Sequence, residues 1–312
     1  SKFRGSRGRG ATLVTDVASL STEGKATLQR TLAEVDALCL QVVDMPFAAV
    51  ALDKKVPTYV AQCPFPGMRA FGIDDQRYFF GRDALIQALE TRLRRTPFLA
   101  VLGASGSGKS SVVRAGLLPR LQRDTPTLQP LIITPGTDPY SALTVALERV
   151  RGAEESGSGR RAIVVVDQFE ELFTLCPREK RKPFLDLLVK LPPAIPVVLT
   201  MRADFWGECA EHAELRRLMQ ESQELVPPMT GHELRGAIEQ QARSVNLRFE
   251  ANLSDKIIEH IGNEPGAMPL LQHALMKLWE RRHGTWLSSA EYDDLGGVQR
   301  VIAETADSIY NA

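Results

Sequence analysis

With 312 residues the chain has room for about two domains and a sizeable buried core. Its apolar and charged fractions, 44% and 24%, are those of an ordinary soluble globular protein. The 38 basic and 38 acidic residues cancel, which excludes a global pull toward nucleic acid or an acidic membrane, and no apolar run is long enough to span a bilayer.

In chain order, residues 1–10 place Lys2, Arg4, Arg7 and Arg9 among glycines and serines, the composition of a disordered basic linker. Residues 11–62 read as a small α/β segment: a strand over Ala11–Val17, a helix over Ser21–Ala37, then strands at Leu38–Val43 and Thr58–Ala61 around a short helix, Phe47–Leu52. The segment carries no catalytic set. Cys63-Pro64-Phe65-Pro66-Gly67 reads as a domain boundary, since two prolines and a glycine continue neither a helix nor a central strand. The aromatic run Tyr78-Phe79-Phe80, then Gly81-Arg82-Asp83, leads into a helix ending at Arg95.

An apolar strand, Phe98–Leu102, then runs into Gly103-Ala104-Ser105-Gly106-Ser107-Gly108-Lys109-Ser110-Ser111 and an amphipathic helix to Leu121. This fits the pattern G-x-x-x-x-G-K-[S/T] in its required frame of strand, glycine loop and helix. The glycines let the backbone curl so that successive N–H groups face a polyphosphate, and the new helix adds its positive end. Lys109 reaches the outer phosphates, and the Ser110 hydroxyl is a ligand for Mg²⁺. All nine residues are candidate nucleotide contacts. The aromatic run upstream either lines an adenine pocket or is core, and core is the better reading for Tyr78 and Phe79.

Next comes a strand at Leu131–Thr134, a turn over 135–139 and a helix ending near Arg151. After an exposed loop, Ala162–Val166 is a continuous apolar strand capped by Asp167. An aspartate at a strand's carboxyl end sits where open α/β sheets bind ligands, which makes Asp167 the second candidate for Mg²⁺. Glu170 and Glu171 follow as candidates to orient an attacking water. Spacing alone does not choose between them; Glu170 is preferred, and the alternative is that both are solvated residues of a helix's first turn. Arg178, Lys180, Arg181 and Lys182 read as a solvated loop. The strand Ile195–Met201 is closed by Arg202, which either senses a γ-phosphate or pairs with Asp204. Beyond Arg202 the strands stop. Helices at 211–221, 232–245 (N-cap Thr230), 254–261 and 268–282, the last opened by Pro269, make a helical lid over 211–283 behind a core of 63–210. A further element begins in 284–312. The scattered Cys39, Cys63, Cys176 and Cys209 suggest neither a zinc site nor a disulfide framework, and there is no signal peptide, so a cytoplasmic location fits. The non-Met start and the unstopped last helix suggest a piece of a longer protein.

Taken jointly, these motifs resemble the STAND class of P-loop ATPases, and within it the bacterial novel-STAND branch often fused to WD-type repeats. The resemblance covers roughly residues 63–310. It is carried by Cys63–Phe71, Phe79-Phe80-Gly81-Arg82-Asp83, the phosphate loop, Val165–Phe173, Arg202-Ala203-Asp204-Phe205, Pro269–Leu275 and Trp279-Glu280-Arg281-Arg282. It implies an α/β fold: a three-layer parallel-sheet P-loop NTPase core with a helical lid and the start of a winged-helix domain at 284–312. It implies that Phe80, Gly81, Arg82 and Pro269 flank the adenine and that Arg202 reads the γ-phosphate. It implies an ATP-binding, slowly hydrolysing signal-transduction switch, a monomer with ADP and a self-associated oligomer with ATP, in bacterial defence or regulation. Sensor repeats and effector would lie outside or at the edge of this chain, with 11–62 in the effector position and faintly similar to the end of a TIR-type domain. Two alternatives stand beside it. An AAA+ motor ATPase acting on DNA would want an arginine finger and a DNA-binding winged helix, and neither is identifiable. The other is a scaffold that holds nucleotide without hydrolysing it.

Overall fold

Strand β1 (Phe98–Gly103) is apolar throughout and buried on both faces, the signature of a central strand in a parallel sheet. Its alternation sorts the side chains between two cores. Phe98, Ala100 and Leu102 join one cluster; Leu99 and Val101 join another, with Ile86, Leu89 and Leu93 of the preceding helix α1 (Asp83–Arg95). Helices therefore cover both faces, giving three layers. The computed structural model describes residues 62–155, 161–261, 266–297 and 300. The expected linker at 1–10 and all but the last residue of the 11–62 segment lie outside the described residues.

The phosphate-loop helix α2 starts at Lys109 and runs through Lys109–Ser111, a π-helical turn over Val112–Leu117, and Leu118–Asp124. Then follow β2 (Leu128–Ile133), α3 (Pro139–Glu155), β3 (Arg161–Val166), α4 (Glu171–Thr174), α5 (Arg178–Val189) and β4 (Val197–Arg202). A 3₁₀ turn, Ala203–Phe205, leads to α6 (Trp206–Cys209), α7 (Ala213–Glu221) and β5 (Gln223–Leu225). The five strands lie in the order β2-β3-β4-β1-β5, all parallel.

Two expectations are corrected. The strands do not stop at Arg202: β5 pairs with β1 from Ala100↔Gln223 to Leu102↔Leu225. Gln-Glu-Leu carries no apolar run, because an edge strand buries little, so the signal lies in its partner and not in itself. The basic stretch at Arg178 is not a loop but the first turn of α5. Phe184, Leu185 and Leu188 are buried and pin that helix to the sheet; Arg178, Lys180 and Lys182 are exposed, while half-buried Arg181 donates to the Phe173 and Cys176 carbonyls at 2.8 and 3.0 Å.

After β5 come α8 (Gly231–Arg243), β6 (Arg248–Phe249), α9 (Leu253–Ile261), α10 (Ala267–Glu280), β7 (Trp286–Leu287) and α11 (Ser289–Asp294), the helical region termed the lid. Its bounds differ from the expected 211–283: Leu215 and Met219 of α7 pack in the sheet's core, and the described part of the segment expected to start a winged helix packs with these helices. Thr230 caps α8 as expected: its hydroxyl accepts the Glu233 N–H, and the Glu233 carboxylate accepts the Thr230 N–H at 2.8 Å. The lid has its own core, with Leu234, Ile238, Leu253, Ile257, Leu271 and Leu275 at its centre. Leu287, Tyr292 and Leu295, from the segment after 284, are part of it. So are Phe65, Phe71 and Tyr78 from the stretch before α1. That stretch thus straps the lid to α2: it shares a core with Ala115, and the Phe71 N–H donates to the Ser111 hydroxyl at 3.2 Å.

Candidate nucleotide site

Register places the site. Gly103, the first glycine of the phosphate loop, is the cross-strand partner of Arg202, so the loop and the end of β4 emerge side by side. Asp167 leaves the neighbouring strand at the same edge, its N–H donating to the Ile133 carbonyl at 2.8 Å. Gln168 takes a left-handed φ of 54°, uncommon without glycine, and its N–H donates to the Thr200 hydroxyl at 3.1 Å. This turn redirects the chain after β3 and sends Glu170 back over the sheet edge.

The Asp167 carboxylate is 3% exposed and fully engaged. The Ser110 hydroxyl donates to its Oδ1 at 2.7 Å, the Thr200 hydroxyl donates to the same oxygen, and Arg114 pairs with Oδ2 at 2.6 Å. Ser110 and Asp167, the two candidate Mg²⁺ residues, are therefore in contact. They offer hard oxygen donors, the chemistry Mg²⁺ takes.

Lys109 is buried, and its ammonium donates to the Gly103 and Ala104 carbonyls of its own loop at 3.1 and 2.7 Å. Burial pushes its pKa down from 10.5, while the Glu170 and Asp167 carboxylates act to hold it up. One Glu170 oxygen accepts the Arg202 N–H at 3.2 Å. Glu171 turns the other way, its carboxylate accepting the Gly136 N–H at 3.3 Å.

These groups border a cavity of about 240 Å³. Ser105 to Val112, Gln168, Glu170 and Thr200 form one side, and Met229, Ala237, Gln241, Met268, Pro269 and Gln272 of the lid side form the other. Phe71, Tyr78, Phe79, Phe80 and Arg82, from the stretch before α1, also line it. Tyr78 is thus both core, as expected, and cavity wall. Arg82 is 4% exposed, its guanidinium donating to the Pro227 carbonyl at 2.7 Å; burial lowers its pKa. Two polar atoms in the cavity wall, Tyr78 Oη and Ser107 Oγ, are buried without a hydrogen-bond partner. An elongated ligand with an apolar ring and an anionic tail fits this distribution.

Of the expected site residues, the structure brings together Ser105 to Ser111, Phe80, Arg82, Glu170 and Pro269 around the cavity; Gly103, Ala104 and Asp167 do not line it but bond residues that do, the two loop carbonyls accepting from Lys109 and the carboxylate from Ser110. Gly81, Glu171 and Arg202 do not line it. Gly81 instead lies against α8: a Cβ there would come 2.6 Å from the Glu233 carbonyl oxygen. Arg202 donates to Asp204 through Nε at 3.1 Å and Nη2 at 2.5 Å, the pairing named as its alternative, and stacks over the Phe205 ring. Sequence reasoning missed Thr200, Arg114 and the buried pair Gln241–Gln272. The two amides bond each other reciprocally at 3.1 Å, and Gln241 also donates to the Pro64 carbonyl at 2.8 Å. A polar residue inside the apolar strand at 197–201 was the available signal for Thr200.

The family model described as Novel STAND NTPase 1 matches residues 64–312. No curated protein matches the chain. Among solved structures, the chain is similar to the Aeropyrum pernix ORC2 protein in its ADPNP-ADP complexes (14% identity, TM-score 0.50, covering 72% of this chain and 68% of that one). It is similar to Cdc6p from Pyrobaculum aerophilum (14%, TM-score 0.50, 70% and 63%). It is also similar to the Aeropyrum pernix ORC1 protein in complex with DNA (19%, TM-score 0.50, 72% and 65%). At these identities the likeness is one of fold, and the chain spans about two thirds of those proteins' lengths. Among the described residues no helix is long and apolar enough to cross a membrane.

Proposed function

The chain belongs to the novel STAND NTPase 1 family, and on that premise we propose that it is an ATP-binding, slowly hydrolysing switch that self-associates in the ATP state, in bacterial defence or regulation. The observation that carries the proposal is the two-sided cavity. The phosphate loop and Glu170 form one wall and the lid helices the other, so a single nucleotide touches both. A ligand shifts a conformational equilibrium only through its differential contacts with the two states. Here the γ-phosphate is the part of ATP that extends toward Glu170 and the end of β4, while the base side meets Pro269 and the lid.

In this reading the loop N–H groups and Lys109 hold the phosphates, and phosphate oxygens replace the Gly103 and Ala104 carbonyls as acceptors for the Lys109 ammonium. Ser110 and Asp167 would hold Mg²⁺, which supplies charge neutralisation at the β- and γ-phosphate oxygens. Glu170 orients a water for attack on the γ-phosphorus, and the bond to the β–γ bridging oxygen breaks. Arg202 meets the γ-phosphate on exchanging its exposed Asp204 partner for it.

The test is mass in solution. With ATP and Mg²⁺, and above all as Glu170→Gln, the protein gives a larger species than with ADP by light scattering. Identical masses with both nucleotides across a wide concentration range overturn the switch and favour a nucleotide-holding scaffold.

A further inference from the structure

Arg114 stands four residues after Ser110, one turn along the same helix, and the two side chains grip opposite oxygens of one carboxylate. Ser110 Oγ donates to Asp167 Oδ1 at 2.7 Å, and Arg114 Nη2 lies 2.6 Å from Oδ2. Thr200 adds a second hydroxyl to Oδ1 from β4. Arg114 begins its approach inside the π-helical turn Val112–Leu117, an irregularity in an otherwise α-helical α2. Its Nε is buried with no hydrogen-bond partner, so the guanidinium is committed to Asp167 at the expense of its own satisfaction. Arg114 does not line the nucleotide cavity. Whatever it does at the site, it does through Asp167.

We propose that Arg114 is a positioning residue that locks the Asp167 carboxylate, with Oδ1 turned to Ser110, into the orientation required to receive Mg²⁺ with the nucleotide. The inference rests on the nucleotide-site reading above and deepens it. A carboxylate held on Oδ1 alone rotates about its Cβ–Cγ bond; held on both oxygens from two elements, it does not. Partners of this kind behind a metal ligand change metal affinity by roughly 10–100-fold.

Titration calorimetry of the whole chain with ATP, in excess Mg²⁺ and in EDTA, tests it. Arg114→Met keeps the aliphatic stem and removes the charge. It is expected to lower affinity for Mg²⁺-ATP about tenfold and leave metal-free ATP unchanged, with Arg114→Lys recovering most of the loss. Equal loss in both conditions would make Arg114 merely structural. No loss, or tighter Mg²⁺-ATP binding through relief of competition with the metal, overturns the proposal. If Arg114→Met does not fold, Arg114→Lys decides: its planar fork is gone, so positioning predicts a smaller loss confined to the Mg²⁺ titration. Failure of the underlying reading shows separately, because that reading requires Lys109→Ala to lose nucleotide with and without Mg²⁺.

Discussion

Gly106 of the phosphate loop meets Gly266 at the head of α10 in direct backbone contact. A Cβ on Gly106 would lie 2.7 Å from the Gly266 Cα, and one on Gly266 would lie 3.2 Å from the Ser105 carbonyl oxygen. Both residues hold left-handed φ angles, 68° and 87°. The loop that would cradle phosphates and the helix that carries Pro269 thus lean on each other through two glycines.

Gly106→Ala is therefore expected to push loop and lid apart. The left-handed backbone costs an alanine about 1–2 kcal/mol, and the clash adds to it. Titration with a fluorescent ATP analogue should show at least a tenfold weaker affinity, while circular dichroism stays that of the parent. An unaltered affinity would show that the contact does not bear on the site.

Lys109→Ala removes the mobile cation from a site otherwise built of backbone dipoles. Charge-assisted hydrogen bonds are worth about 1.5–3 kcal/mol each, so a loss of roughly 10–100-fold per lost phosphate contact is expected. Nucleotide affinity equal to the parent's would remove the phosphate-loop assignment.

The two glutamates separate by where they point. Glu170 faces the cavity and Glu171 is spent on the Gly136 N–H. Glu170→Gln should retain binding and slow hydrolysis by roughly 10²–10⁴-fold, with Glu171→Gln near the parent rate. The reverse pattern in a steady-state phosphate-release assay would exchange their roles.

Arg202→Ala should weaken ATP while leaving ADP nearly unaffected, because in the proposed function the side chain, which here pairs with exposed Asp204 outside the cavity, exchanges that partner for the γ-phosphate. Competition titrations with the two nucleotides measure the ratio. An equal loss for both would leave the Arg202–Asp204 pair as a structural contact.

In the lid, burial and then the neighbouring Lys277 cation push the His273 imidazole below its ordinary 6.5. The unfolded chain then binds the proton more readily than the folded one. The contribution to stability is whole above pH 6.5 and is lost as pH falls through the lowered folded-state value. His273→Gln should flatten the acid side of the melting temperature against pH; an unchanged profile would remove His273 as its source.

The phosphate loop, Asp167, Glu170 and the succession of β1 to β4 along the chain were legible in the sequence because each rests on local information: a loop pattern tied to one backbone shape, or an apolar run that only a buried strand explains. Strand β5 and helix α5 were not, because Gln223-Glu224-Leu225 and the cations at Arg178 acquire their structure from partners elsewhere. The choice of Glu170 over Glu171 in the cavity needed the turn at Gln168, whose left-handed φ no residue type at that position announces. The sequence by itself determined the chemistry available: a cation, a hydroxyl and carboxylates at strand ends. The tertiary structure alone decided which of them meet, since the Arg114–Asp167 pair, the Thr200 hydroxyl behind it and the Gly106–Gly266 contact each join residues far apart in the chain, and such contacts are fixed by sheet order and lid packing, not by any local pattern.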